Sequence, residues 1–175
     1  MKRRINTEAI VIKKRELLNK DVLVTLFTIE TGKITAIAKG ARTLTSRRSP
    51  HVQTGNLLNV ILYNKGDIYY LQETSLISGF SQIKSESPKM SLTYFFLHII
   101  DKLAPEGQKE PDVYALIKRF LIDLSKSSVK SIEDIEIYLN RLLIALGYST
   151  THLPLSQLRL QIEELTGEKL QLFII

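Results

Sequence analysis

The feature that most constrains this chain is a change of hydrophobic period near Ser87-Pro88. Before it, from Thr7 to about Ile77, apolar residues recur with a spacing near two, among many β-branched and aromatic residues and frequent turn residues. After it the spacing is 3.6, in the stripes Leu92, Phe96, Ile99, Leu103, then Val113, Ile117, Phe120, Leu124, then Ile135, Leu139, Leu142, Leu146. One sequence cannot satisfy both periods in the same element. The reading is therefore α+β: an N-terminal five-stranded OB-fold β-barrel over residues 1–80, followed by a C-terminal α-helical bundle domain over 81–175.

Five strands are expected at Ala9–Ile12, Val22–Phe27, Ile34–Ala38, Leu57–Tyr63 and Ile68–Gln72. Asn19-Lys20-Asp21, Glu30-Thr31-Gly32-Lys33 and Asn64-Lys65-Gly66-Asp67 supply the tight connections, with Gly32 at a positive φ. Between Gly40 and Gly55 the apolar content drops and an exposed, mobile loop is expected. An SH3-like barrel is the nearest rival to the OB type. In the helical half, Pro105-Glu106-Gly107 marks a boundary, Ser131 with Asp134 forms a capping box, Gly147 caps a C-terminus, and Gly167 ends a last helix over Leu155–Thr166. Leu170–Ile175 is an apolar tail that has to dock.

Charge is distributed unevenly. Residues 1–55 hold half of the 24 Lys and Arg residues against only Glu8, Glu16, Asp21 and Glu30, while the remainder is slightly acidic. A net charge of +6 concentrated on one module is the footprint of a polyanion binder. No run approaches the ~20 apolar residues of a membrane span, and Met1-Lys2-Arg3-Arg4 leads into alternating residues, so a cytoplasmic protein with no membrane partner is expected. Cysteine is absent, which excludes disulfides, thiolate nucleophiles and cysteine-based zinc sites.

Catalytic signals are weak. His51, His98 and His152 lie far apart, with none of the i, i+4 spacing of a zinc-binding helix pair. Gly32-Lys33 resembles a phosphate loop only superficially, because Phe27 stands where the leading glycine belongs and Ile34 where a magnesium-binding hydroxyl would. Glu133, Asp134 and Glu136, or Glu163 and Glu164, suit helix starts and solvated faces. The expectation is no catalytic residue, no metal and no cofactor: not an enzyme.

The cations need only charge, reach and a shared face. Lys13, Lys14, Arg15, Lys33, Lys39, Arg42, Arg47 and Arg48 are the candidate DNA-binding residues, with Lys33 the weakest because it sits at a hairpin tip. Tyr63, Tyr69 and Tyr70 are candidate stacking platforms, although alternation turns at least one of Tyr69 and Tyr70 into the core.

Longer strings carry a family resemblance. Thr7-Glu8-Ala9-Ile10-Val11-Ile12-Lys13, Asp21–Thr28, and Thr31–Arg42 with Ser46-Arg47-Arg48 closely resemble the recombination mediator RecO; Leu103–Gly107 with Pro111–Tyr114 and Leu142–Tyr148 are similar to that family's helical segments in the same order. The resemblance implies a DNA repair protein that binds single- and double-stranded DNA and anneals complementary strands. It also implies partnership with RecR, and with RecF in some systems, to load RecA on DNA coated by single-stranded DNA-binding protein. On it rest a nucleoid-associated location, a monomer when alone, and DNA contact by Lys13, Lys39, Arg42, Arg47 and Arg48. Many members carry a four-cysteine zinc module after the Leu-Gly-Tyr motif, whereas Tyr148 here runs through Ser149-Thr150-Thr151-His152 into the last helix, so a short form lacking that module is expected. Two alternatives remain open: a non-enzymatic scaffold for RecR, and an RNA-binding OB-fold protein.

Overall fold

The computed structural model describes residues 4–43, 45–127, 129 and 131–170. Five strands, β1 (Arg4–Glu16), β2 (Val22–Thr28), β3 (Gly32–Ala38), β4 (Leu57–Lys65) and β5 (Ile68–Ser78), precede five helices, α1 (Ser81–Lys84), α2 (Ser87–Leu103), α3 (Pro111–Ser125), α4 (Ile132–Ala145) and α5 (Leu155–Thr166). The chain divides into two compact units. One comprises residues 1–79 with 105–114, the other 80–104 with 115–175, so the first turn of α3 belongs to the barrel unit and its remainder to the helical unit.

The strands close in the order β1-β2-β3-β5-β4, antiparallel except where β3 meets β5 in parallel at Ala36–Tyr69 and Ile37–Tyr70. That order is the OB arrangement and excludes the SH3-like alternative. Its interior is built from aliphatic side chains from alanine to leucine, with Val22, Val24 and Leu26 of β2 opposite Ile34, Ala36 and Ala38 of β3, and Leu58, Val60, Leu62 and Leu71 completing the fill. Alanine at two of three inward positions of β3 suits a barrel this narrow. Gly32 adopts φ 74, and a Cβ there would lie 1.7 Å from the Gln108 carbonyl oxygen, so the tight turn and the close approach of residue 108 both require glycine.

The parallel β3–β5 contact is short, and the barrel seals the remaining edges by other means. Along the start of β3, residues 105–110 form a strap: Glu106 bridges to Lys33, the Gly107 N–H donates to the Lys33 carbonyl at 2.8 Å, and the Thr35 hydroxyl donates to Glu106 at 3.1 Å. The Tyr114 hydroxyl anchors the far end of the strap on the Glu8 carboxylate. Burial, then that carboxylate, pushes the Tyr114 phenol well above its ordinary pKa. Past the end of β3, Arg48 closes the gap. Its guanidinium donates to Lys39 O at 2.5 Å and Leu71 O at 2.7 Å, joining β5 to the chain leaving β3.

The 40–55 segment differs from the expected exposed loop. Ala41 and Val52 are buried in the barrel core, and Asn56 at its end is buried with its amide donating to Pro50 O and His51 O. Two apolar side chains suffice to dock it, because both fall at turns that point them inward over the barrel end. The short helix α1 lies outside any hydrophobic period, being one turn long, and β1 and β5 run further than expected because their polar ends still pair.

In the helical unit the apolar stripes face one another. Phe96 of α2, Phe120 of α3 and Tyr138 of α4 form a ring cluster, with centroids 4.3 Å apart for Phe96–Phe120 and 5.2 Å for Phe120–Tyr138. Tyr138 turns its hydroxyl to Asp123 at 2.6 Å. Burial, then that hydrogen bond, pushes the phenol up to about 12. Ser131 and Asp134 form the expected capping box at α4, and Gly147 (φ 77) and Gly167 (φ 68) follow α4 and α5 in the left-handed conformation. The tail beyond Leu170 lies outside the described residues. Among them, no helix is long and apolar enough to cross a membrane.

Candidate nucleic-acid interface

Strand alternation and register define an outward face on the barrel. Val22 and Val24 point in, so Leu23 and Thr25 point out; Ala36 and Ala38 point in, so Thr35 and Ile37 point out. Cross-strand partners share a face. Arg15 pairs with Leu23, Leu23 with Ile37, Ile37 with Tyr70, Tyr70 with Tyr63, and Tyr63 with Arg4. One row therefore crosses all five strands: four partly buried apolar or aromatic side chains with an exposed arginine at each end. Beside it runs a second row, Lys13–Thr25–Thr35.

The row has the chemistry of a base-stacking surface. Lys39 sits over the Tyr70 ring with Nζ 5.1 Å from the centroid, holding ring and cation together at the surface. Tyr69, the neighbouring residue, packs against the barrel core. Lys39 also lines a shallow groove with Arg47, Thr43, Ser46, Gln72 and Glu73. At Gln72 a bulge shifts the β4–β5 register between Ile61 and Leu62, which turns that stretch of β5 toward the groove.

The structure places the eight candidate cations in different roles. Lys13 and Arg15 stand exposed on the outward face of β1, and Lys39 and Arg47 are exposed at the groove. Lys14 points to the other side of β1 and donates to Gln53 at 2.7 Å. Arg42 holds the β1–β2 turn, donating to Leu17 O at 3.0 Å and pairing with Glu16 at 3.1 Å, though both side chains remain well exposed. Arg48 lines the groove with its guanidinium turned to the backbone carbonyls it staples. Lys33 lies one residue past the β2–β3 turn, buried in β3 beneath the strap.

Sequence reasoning missed Leu23, Ile37 and Arg4 as members of this surface. The signal was present in Val22-Leu23-Val24-Thr25 and Ala36-Ile37-Ala38, where the smaller side chains take the inward positions and the larger ones are left outside. Among the described residues no three His, Asp or Glu side chains gather as metal ligands would.

Comparison with known proteins decides the family. Residues 1–80 match the model of the recombination protein O N-terminal family. The chain belongs to the RecO family. It is 31% identical over 144 residues, 82% of its length, to the DNA repair protein RecO of Caldanaerobacter subterraneus subsp. tengcongensis. It is 30% identical over 146 residues to the RecO of a Thermoanaerobacter species, and 29% over 118 residues to that of Syntrophobacter fumaroxidans. These matches span 58%, 59% and 47% of the respective relatives, so the chain corresponds to about half to three-fifths of a RecO protein. The family model's match over residues 1–80 covers all five strands and so every residue of the outward row.

Proposed function

We propose that this RecO-family chain is a DNA-binding protein of repair and recombination that holds single-stranded DNA across the outward face of its barrel. The observation that carries the reading is the row Arg15–Leu23–Ile37–Tyr70–Tyr63–Arg4 with Lys39 seated on Tyr70. Bases stack on the tyrosines and lie against Leu23 and Ile37, each stacked base contributing ~1–3 kcal/mol. Lys13, Arg15, Lys39 and Arg47 neutralise phosphates and make the affinity fall steeply with salt. Arg48 and Lys33 serve the barrel, and Arg42 serves mainly the turn it holds. A surface of stacking groups and cations binds either complementary strand without reading its sequence, which is what an annealing protein requires. The reading extends to binding duplex as well as single-stranded DNA, and to acting with RecR and RecF in loading RecA onto strands coated by single-stranded DNA-binding protein, in the cytoplasm.

The test is annealing of two complementary oligonucleotides precoated with single-stranded DNA-binding protein. Acceleration by this chain that is lost on charge reversal of Lys39 and Arg47 supports the reading. Acceleration indifferent to both reversals would remove the barrel face from the reaction. Competition between matched RNA and DNA strands tests the RNA-binding alternative, which requires RNA to win.

A further inference from the structure

The β1–β2 connection carries Leu18 with its side chain wholly in solvent, at a relative exposure of 107%. A lone surface leucine on a loose loop would need no explanation. This one stands on a tip that the fold holds from several directions. The Leu17 N–H donates to Asp21 O at 3.0 Å and the Asn19 amide to the Asp21 carboxylate at 2.9 Å. The same carboxylate accepts from the Gly40 N–H at 2.7 Å, and the Arg42 N–H donates to Lys20 O at 3.0 Å while its guanidinium reaches Leu17 O at 3.0 Å. Lys20 is held at φ 63, a left-handed conformation that side-chain-bearing residues adopt only at a cost. The structure thus spends polar contacts and backbone strain on a turn whose most prominent group is an isobutyl side chain.

Charge completes the picture. Lys13 and Arg15 lie exposed on the outward face of β1 behind the tip, and Lys20 is exposed beside Leu18. The nearby acids are engaged locally, Glu16 by Arg42 and Asp21 by the turn itself. A fixed apolar point behind a collar of cations matches the architecture of a wedge: cations hold phosphates while an aliphatic side chain enters between two base steps and unstacks them. We infer that Leu18 is such a wedge, inserting into the base stack where a duplex gives way to single strand. The end of a duplex is where unstacking costs least. The inference rests on the DNA-binding reading and assigns the hairpin tip a task separate from the stacking row. A hydrophobic pocket on a protein would also accept a leucine, but the cationic collar favours the polyanion.

The experiment uses a partial duplex carrying 2-aminopurine at its last paired step, whose fluorescence rises on unstacking. The expected result is an increase of about twofold or more on adding the wild-type chain, lost in L18A and retained in L18F, while L18A affinity falls less than about tenfold because the cations remain. An unchanged thermal midpoint in L18A shows that the fold is intact. If the wild type binds DNA tightly with no fluorescence rise, or L18A gives the full rise, the wedge is overturned while DNA binding stands. If the wild type binds no DNA, the functional reading falls and the wedge with it. Loss of a protein partner by L18A, with the full fluorescence rise kept, assigns the tip to protein docking and overturns the inference.

Discussion

The barrel and the helical unit place their aromatic clusters differently. In the helical unit Phe96, Phe120 and Tyr138 are buried together, and the polar end of Tyr138 is satisfied by Asp123 inside the same unit. In the barrel, Tyr63 and Tyr70 are only partly buried with Leu23 and Ile37 beside them, and aliphatic side chains from alanine to leucine fill the interior. The same side-chain types thus supply stability in one region and leave a surface available in the other. Apolar content alone does not distinguish the two uses. Which face of the element carries it does.

The largest effect expected from this contrast is in the ring cluster. Phe120→Ala removes a fully buried ring and should cost ~3–5 kcal/mol in denaturant unfolding of the helical unit, with a loss under about 1 kcal/mol counting against the cluster as its keystone. Next is a pair of neighbours in the loop. Arg48→Ala should cost roughly 1.5–3 kcal/mol, because the Leu71 and Lys39 carbonyls lose charged donors. Arg47→Ala should leave the melting temperature unchanged and reduce the salt dependence of DNA binding by about one phosphate contact. If the two arginines behave alike in both measurements, the division between staple and ligand residue fails.

A smaller effect concerns acid. Burial by itself would raise the Asp123 carboxyl, but the Tyr138 hydroxyl and the Arg119 guanidinium outweigh it and hold it below the usual carboxylate value. A group with a depressed folded-state pKa contributes stability that is present above its unfolded value and lost as pH falls through the folded one. The helical unit should therefore lose stability below about pH 4, and Asp123→Asn should flatten that part of the profile at the expense of stability at neutral pH. A profile identical to wild type would remove Asp123 from the account. The exposed clasp of Glu168 with Lys102 and His98 on α2 should contribute least, since solvent screens exposed ion pairs and holding two long side chains costs entropy.

Much of this was legible in the chain because it depends on local period. The switch at Ser87-Pro88, the five strand segments, the capping box at Ser131 and the glycine at position 32 all follow from rules that act within a few residues. What was hidden depends on pairing between distant segments. Lys33 reads as a hairpin-tip cation until Glu106 and Gly107, more than seventy residues on, are seen to cover its strand. Arg48 reads as a surface cation in the sequence, and only the fold shows its guanidinium bridging Lys39 and Leu71. The same applies to the outward row, whose six members come from five strands and meet only through the barrel's register. Charge counting finds the basic module, but the surroundings of each cation, the carbonyl or ring that lies next to it, come only from the fold.

The central claim is that DNA lies across the tyrosine row. The most direct test is the affinity of a labelled single strand for the wild type and for a Tyr63→Ala, Tyr70→Ala double variant, measured by fluorescence anisotropy at fixed salt together with the thermal midpoint of each. The account predicts a loss of affinity of about thirtyfold to ten-thousandfold at a temperature well below both midpoints, since two stacked bases are lost. Equal affinity for the two proteins would contradict it and move the DNA to another surface.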